Sequence, residues 1–83
     1  MKHWCKIIRL KEHHVLVERI ANHEDGEAIR VSCRFPEVHA VATMGFEHDE
    51  IRADHAYKKF DAKGAQGFVY DFLKMMEDHE QGT

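Results

Sequence analysis

Eight histidines and two cysteines in 83 residues are the side chains of this chain best suited to chemistry. Neutral imidazole and thiolate bind zinc, copper and nickel, and a cysteine beside a base can act as a nucleophile. The spacing carries neither chemistry far. The sequence has no HxxxH, HExxH or CxxC, the patterns that set two ligands on one helix turn or one tight loop. His13 and His14 are adjacent and would point to opposite faces of a strand. His48 and His55 can share a helix face, but Arg52 stands between them, a poor neighbour for a metal ion. His3, Cys5, His48 and His55 are therefore the candidate ligands of an alternative reading, a transition-metal- or ligand-binding domain. Cys33 falls on the apolar side of its segment and reads as a small core residue. Neither a glycine-rich phosphate loop nor GxSxG occurs, so no catalytic residue and no cofactor is expected.

A second constellation is basic. Arg30, Ser32 and Arg34 alternate with Ile29, Val31, Cys33 and Phe35, which places both arginines on the polar side of a strand. A two-residue turn at Pro36-Glu37 sets His39 opposite Arg34 and Thr43 opposite Arg30, making a compact face that attracts anions. Such a face can hold a phosphate backbone, and nucleic-acid binding through Arg30 and Arg34 is a third reading. Aromatic residues for stacking bases are missing from it, and a solvated face with cross-strand pairing is the commoner use of charged strand residues.

The elements that must position these groups follow from periodicity. From Ala28 to Phe46 a period of two runs through Phe35, breaks at Pro36-Glu37 and resumes at Val38, Ala40, Ala42 and Met44, the pattern of an antiparallel hairpin. Residues 3–10 and 14–21 are rich in β-branched and aromatic side chains and form a first hairpin. Asp25-Gly26 supplies the positive-φ position of the turn into the third strand. The first two strands carry apolar residues on both faces. Something is expected to cover part of the second one. After Phe46 the period becomes helical: Asp49 caps a helix over 49–60, and Asp61 caps one over 62–79 whose stripe is Ala65, Phe68, Val69, Phe72, Leu73 and Met76. Gly64 and Gly67 weaken its first turns and point to close packing, helix against sheet. Gly82 is the expected terminator. The predicted fold is α+β, one domain over residues 1–83: a four-stranded antiparallel β-meander over 3–10, 14–21, 27–35 and 38–46, then two helices, the last packed on one sheet face.

Composition bounds the function. Apolar residues make up 43% and charged residues 33%, which is globular rather than disordered. Net charge is −3, with the second half acidic, so the clustered cations of a general nucleic-acid binder are missing. Two cysteines without a framework spacing fit a reducing cytoplasm. Neither a secretory leader nor an apolar run long enough to span a membrane is present. A chain this short buries only about 60% of its unfolded surface and gains from a partner. The reading with most support is a small non-enzymatic protein-interaction module, acting as a homodimer or as an inhibitor or accessory subunit of a larger protein. Small inhibitors encoded by phages and mobile elements share this profile. Trp4, Ile8, Leu16 and Ile20 are the expected apolar contact patch, with tryptophan as its anchor, and Arg30, Arg34 and His39 its polar contacts.

Overall fold

The computed structural model describes residues 2–22, 26–36 and 38–81. The chain runs through β1 (Lys2–Arg9), β2 (His14–Asn22), β3 (Gly26–Arg34), β4 (His39–Gly45), α1 (Glu50–Lys59) and α2 (Ala62–Gln81). The strands form one antiparallel sheet in chain order, and both helices pack on the same side of it. The α+β meander read from periodicity is the fold observed. Its shortest dimension, 18 Å, is two layers thick.

Local chemistry explains the element ends. Asp49 Oδ1 accepts the Arg52 N–H at 3.0 Å and Asp61 Oδ1 accepts the Gly64 N–H at 3.1 Å, each satisfying one of the orphan donors of a helix start. Gly26 sits at φ 89°, as a turn before β3 requires. Its backbone lies so close to the Glu47 carbonyl that a Cβ there would collide with it. The Glu27 N–H donates to that same carbonyl, and the Phe46 N–H donates back to Glu27 O at 2.8 Å. The start of β3 is thereby tied to the exit of β4. Gly64 packs against the Phe60 ring, whereas Gly67 faces open space; close packing against the sheet is not what Gly67 provides. The expected terminator Gly82 lies outside the described residues.

The core lies between sheet and helices. Val15, Val17, Ile29, Val31, Cys33 and Ala40 supply the sheet side, and Ala65 and Val69 the α2 side. Ala53 of α1 and Ala65 of α2 are fully buried. Phe35 stacks on Phe72 at 5.1 Å and closes the end of the core beyond β3. Each fully buried valine or isoleucine contributes about 1.5–3 kcal/mol of transfer free energy. Ala40, Ala42 and Met44 share the sheet face of Cys33, Val31 and Ile29, as the period of two predicts, but of the apolar residues Val38, Ala40, Ala42 and Met44 only Ala40 is buried. Val38 and Met44 are 39% and 52% exposed. α1 packs over β2 and β3 and α2 reaches β1, so β4 extends beyond the helical layer.

One charged group is built into the covered side. Arg19 is 1% exposed; its Nε donates to Asp54 Oδ1 at 2.6 Å and its Nη1 to Glu27 Oε2 at 2.6 Å. Burial works against its charge, but the hydrogen bonds to Glu27 and Asp54 and their negative charge outweigh that and raise its pKa above the ordinary arginine value. The guanidinium ties α1 to the centre of the sheet. Lys6 Nζ does the same near the other end of α1, donating to the Tyr57 carbonyl at 2.5 Å and lying 4.5 Å from that ring's centroid.

Candidate functional site

Because both helices lie on one side, the odd residues of β1 and β4 and the even residues of β2 and β3 form a second sheet face that no described element covers. The registers align these side chains in rows across all four strands. Ile7 pairs with Leu16, Leu16 with Ser32 and Ser32 with Val41. Cys5, Glu18, Arg30 and Thr43 form the next row on one side. On the other side Arg9 pairs with His14 and Arg34 with His39, and the Val15–Cys33 register brings His14 beside Arg34. A depression of ≈ 440 Å³ runs over this face, lined by His14, Leu16, Arg30, Ser32, Arg34 and Val41 among others.

Three of the four side chains in the central row are aliphatic: Ile7 is 59% exposed and Val41 51%, Leu16 is half-buried, and the buried Ser32 stands between Leu16 and Val41. The face left wet by a half-covered antiparallel sheet is ordinarily polar. Above the row, Arg30 Nε and Nη2 donate to Glu18 Oε1 and Oε2 at 2.9 and 3.0 Å, a bidentate pair of the strongest surface type. Glu18 holds the Arg30 guanidinium charged, above its ordinary range. Arg30 is thus engaged by Glu18, while Arg34 lies on the same face and lines the same depression. His39 does stand opposite Arg34, and Thr43 opposite Arg30, and the Phe35 N–H donates to Val38 O at 2.8 Å where the two strands connect.

The expected apolar patch needs correction. Leu16 and Ile20 lie on the open face, but Trp4 and Ile8 lie on the helix side, paired with Arg19 and Val15. Trp4 stacks on the Arg19 guanidinium at 5.3 Å and Ile8 packs against the core. The neighbours of Leu16 are Ile7 and, two strands away beyond Ser32, Val41, neither of which belongs to the expected patch. Ile7 and Val41 do share a strand period with the polar face. What was missing was the register of the first hairpin.

Other sequence candidates do not converge. Among the described residues no three of histidine, cysteine, aspartate and glutamate come together as metal ligands. His48 lies exposed in the turn before α1, His55 is exposed on α1, and Cys5 is exposed on the open face; the side chain of His3 is outside the described residues. Cys33 is 2% exposed, and burial pushes its thiol pKa up, the opposite of nucleophile activation. A hollow of ≈ 490 Å³ at the β4–α1 turn is lined by Asp49 and Arg52, but Asp49 caps the helix and Arg52 lies over the Phe46 ring at 5.8 Å. No protein-family model, curated protein or solved structure matches the chain. Among the described residues no helix is long and apolar enough to cross a membrane.

Proposed function

We propose that the chain is a protein-interaction module that docks another protein on the open face of its sheet. The observation that carries this reading is the aliphatic row Ile7–Leu16–Val41, exposed on the side of the sheet facing away from both helices. Aliphatic side chains held in line on a rigid sheet lose little entropy on contact and gain the transfer free energy of their exposed area. The bidentate Glu18–Arg30 pair beside them is a formed, oriented polar rim. A second copy of the chain and a different protein are both partners of this kind. A buried thiol and the lack of a converging ligand set among the described residues give no comparable support to an enzyme or a metal-binding domain.

The test is site-specific photo-crosslinking in cells. A benzophenone amino acid replacing Val41 is expected to give discrete adducts, with the chain itself or with another protein, that are lost when Ile7→Glu is added. Ile51, 82% exposed on α1, is the control position on the helix side. Adducts of equal yield at both positions, or at Ile51 alone, would refute the open face as the docking surface.

A further inference from the structure

The end of the open face opposite the Glu18–Arg30 pair is a line of four basic side chains, one from each strand: Arg9, His14, Arg34 and His39. All four are exposed. At about 4.7–4.9 Å per strand the line is ~14 Å long. Arg9 and Arg34 are its permanent cations, each histidine beside them offers a ring N–H to an anion, and within the described residues no carboxylate pairs with any of the four. Arg30, two rows away along the strands, shows the contrast, since Glu18 satisfies both arms of its guanidinium. An anion from outside the chain would relieve the basic row as Glu18 relieves Arg30.

On the rest of the face, the chain is net acidic at −3, yet Glu18 is the sole carboxylate among the described open-face residues and it is already engaged. Two copies packed face to face about a twofold axis would present each basic row with the same surface again, and among its described residues that surface has no spare carboxylate. A nucleic acid would supply phosphates, but the described face has no Phe, Tyr or Trp to stack a base. The aliphatic row beside the cations asks for apolar side chains instead.

We infer that the open face takes an acidic segment of a partner protein, its carboxylates seated on Arg9, His14, Arg34 and His39 and its aliphatic side chains on Ile7, Leu16 and Val41. The inference rests on the open face being the docking surface and adds the partner's chemistry. Arginine forks suit carboxylates bidentately, and a rim of one sign steers the encounter and rejects basic segments.

Fluorescence anisotropy with three labelled probes tests it: an amphipathic peptide of about 18 residues, five helical turns, built of glutamate and leucine; the same peptide with lysine for glutamate; and an oligothymidylate of similar length. At ionic strength of about 20 mM, where screening is weak, the acidic peptide is expected to bind at least about tenfold more tightly than either control. Arg9→Glu/Arg34→Glu should weaken it about tenfold or more, an exposed ion pair being worth up to about fivefold and each reversal adding repulsion. Because both arginines are exposed, that variant should melt no lower than wild type; Arg9→Gln/Arg34→Gln, expected to weaken binding less, serves if it does. Equal binding of the acidic and lysine peptides, an unchanged affinity in both double variants, or preference for the oligothymidylate would each overturn the inference. If the acidic peptide fails while the Val41 adducts persist, the partner chemistry is wrong and the docking face stands. If the Val41 adducts fail too, both are wrong.

Discussion

Replacing Arg19 by methionine keeps an unbranched apolar stem and removes the guanidinium, which tests the buried ion network while sparing the packing of the inner part of the side chain. The guanidinium is 1% exposed, Glu27 15% and Asp54 44%. Each charge-assisted hydrogen bond is worth roughly 1.5–3 kcal/mol, but Asp54 is nearly half in water and regains solvation when its partner leaves, so its share is no more than about 1 kcal/mol. Glu27 stays largely desolvated without a counter-charge. Removing one member of such a pair costs about 3–5 kcal/mol, against a total stability of roughly 4–12 kcal/mol for a chain of this length. Arg19→Met should therefore lower the melting temperature by more than about 12 °C, at ~4–8 °C per kcal/mol. Glu27→Gln should cost about 1.5–3 kcal/mol and Asp54→Asn about 1 kcal/mol or less. Urea and thermal unfolding followed by far-ultraviolet circular dichroism give the ranking. The fluorescence of Trp4, which lies over Arg19, reports the site directly. Replacing Arg19 and Glu27 together by methionine should recover much of the loss, because no buried carboxylate is then left unpaired. A cost below ~1 kcal/mol for Arg19→Met, or equal costs for Glu27→Gln and Asp54→Asn, would refute the assignment of desolvation as the deciding term.

Two glycines should respond to alanine with opposite signs: Gly67→Ala, in open space on α2, should stabilise by about 0.5–1 kcal/mol, while Gly26→Ala, at positive φ and against the Glu47 carbonyl, should destabilise by about 2 kcal/mol or more. Equal shifts in urea midpoint would contradict the turn geometry. Native protein should show one thiol reacting quickly with Ellman's reagent, Cys5, and one reacting at least about 10³-fold more slowly, Cys33, whose burial requires opening of the core. Comparable rates, resolved by mass spectrometry of the labelled peptides, would move Cys33 out of the core.

Much of the fold is legible in the residues because its signals are local. The period of two through Ile29, Val31 and Cys33, the turn at Pro36-Glu37, the Asp49 and Asp61 caps and the helical stripe of α2 each depend on neighbours within one turn or one strand. Even the β3–β4 register follows, since a two-residue turn leaves little freedom in pairing: His39 does face Arg34. The first hairpin is different. Its connection, residues 10–13, closes with a Leu10 N–H to His13 O bond and has no residue that selects a turn type. With apolar side chains on both faces of both strands, the pattern alone does not settle which face of β1 meets which face of β2. A shift of one residue exchanges the faces entirely, which is why Trp4 and Ile8 were grouped with Leu16 and Ile20.

Sequence by itself determined the strands, the helices, their caps, the burial of Cys33 and the basic face of β3, because each is set by side-chain alternation or short-range hydrogen bonding. Only the tertiary structure decided that Ile7 and Val41 flank Leu16, that Glu18 engages Arg30, that Arg19 is buried between Glu27 and Asp54, and that β4 extends past the helices. These are relations between strands and helices far apart in the chain, fixed by how two layers of unequal width meet, and alternation within any one segment carries no record of them.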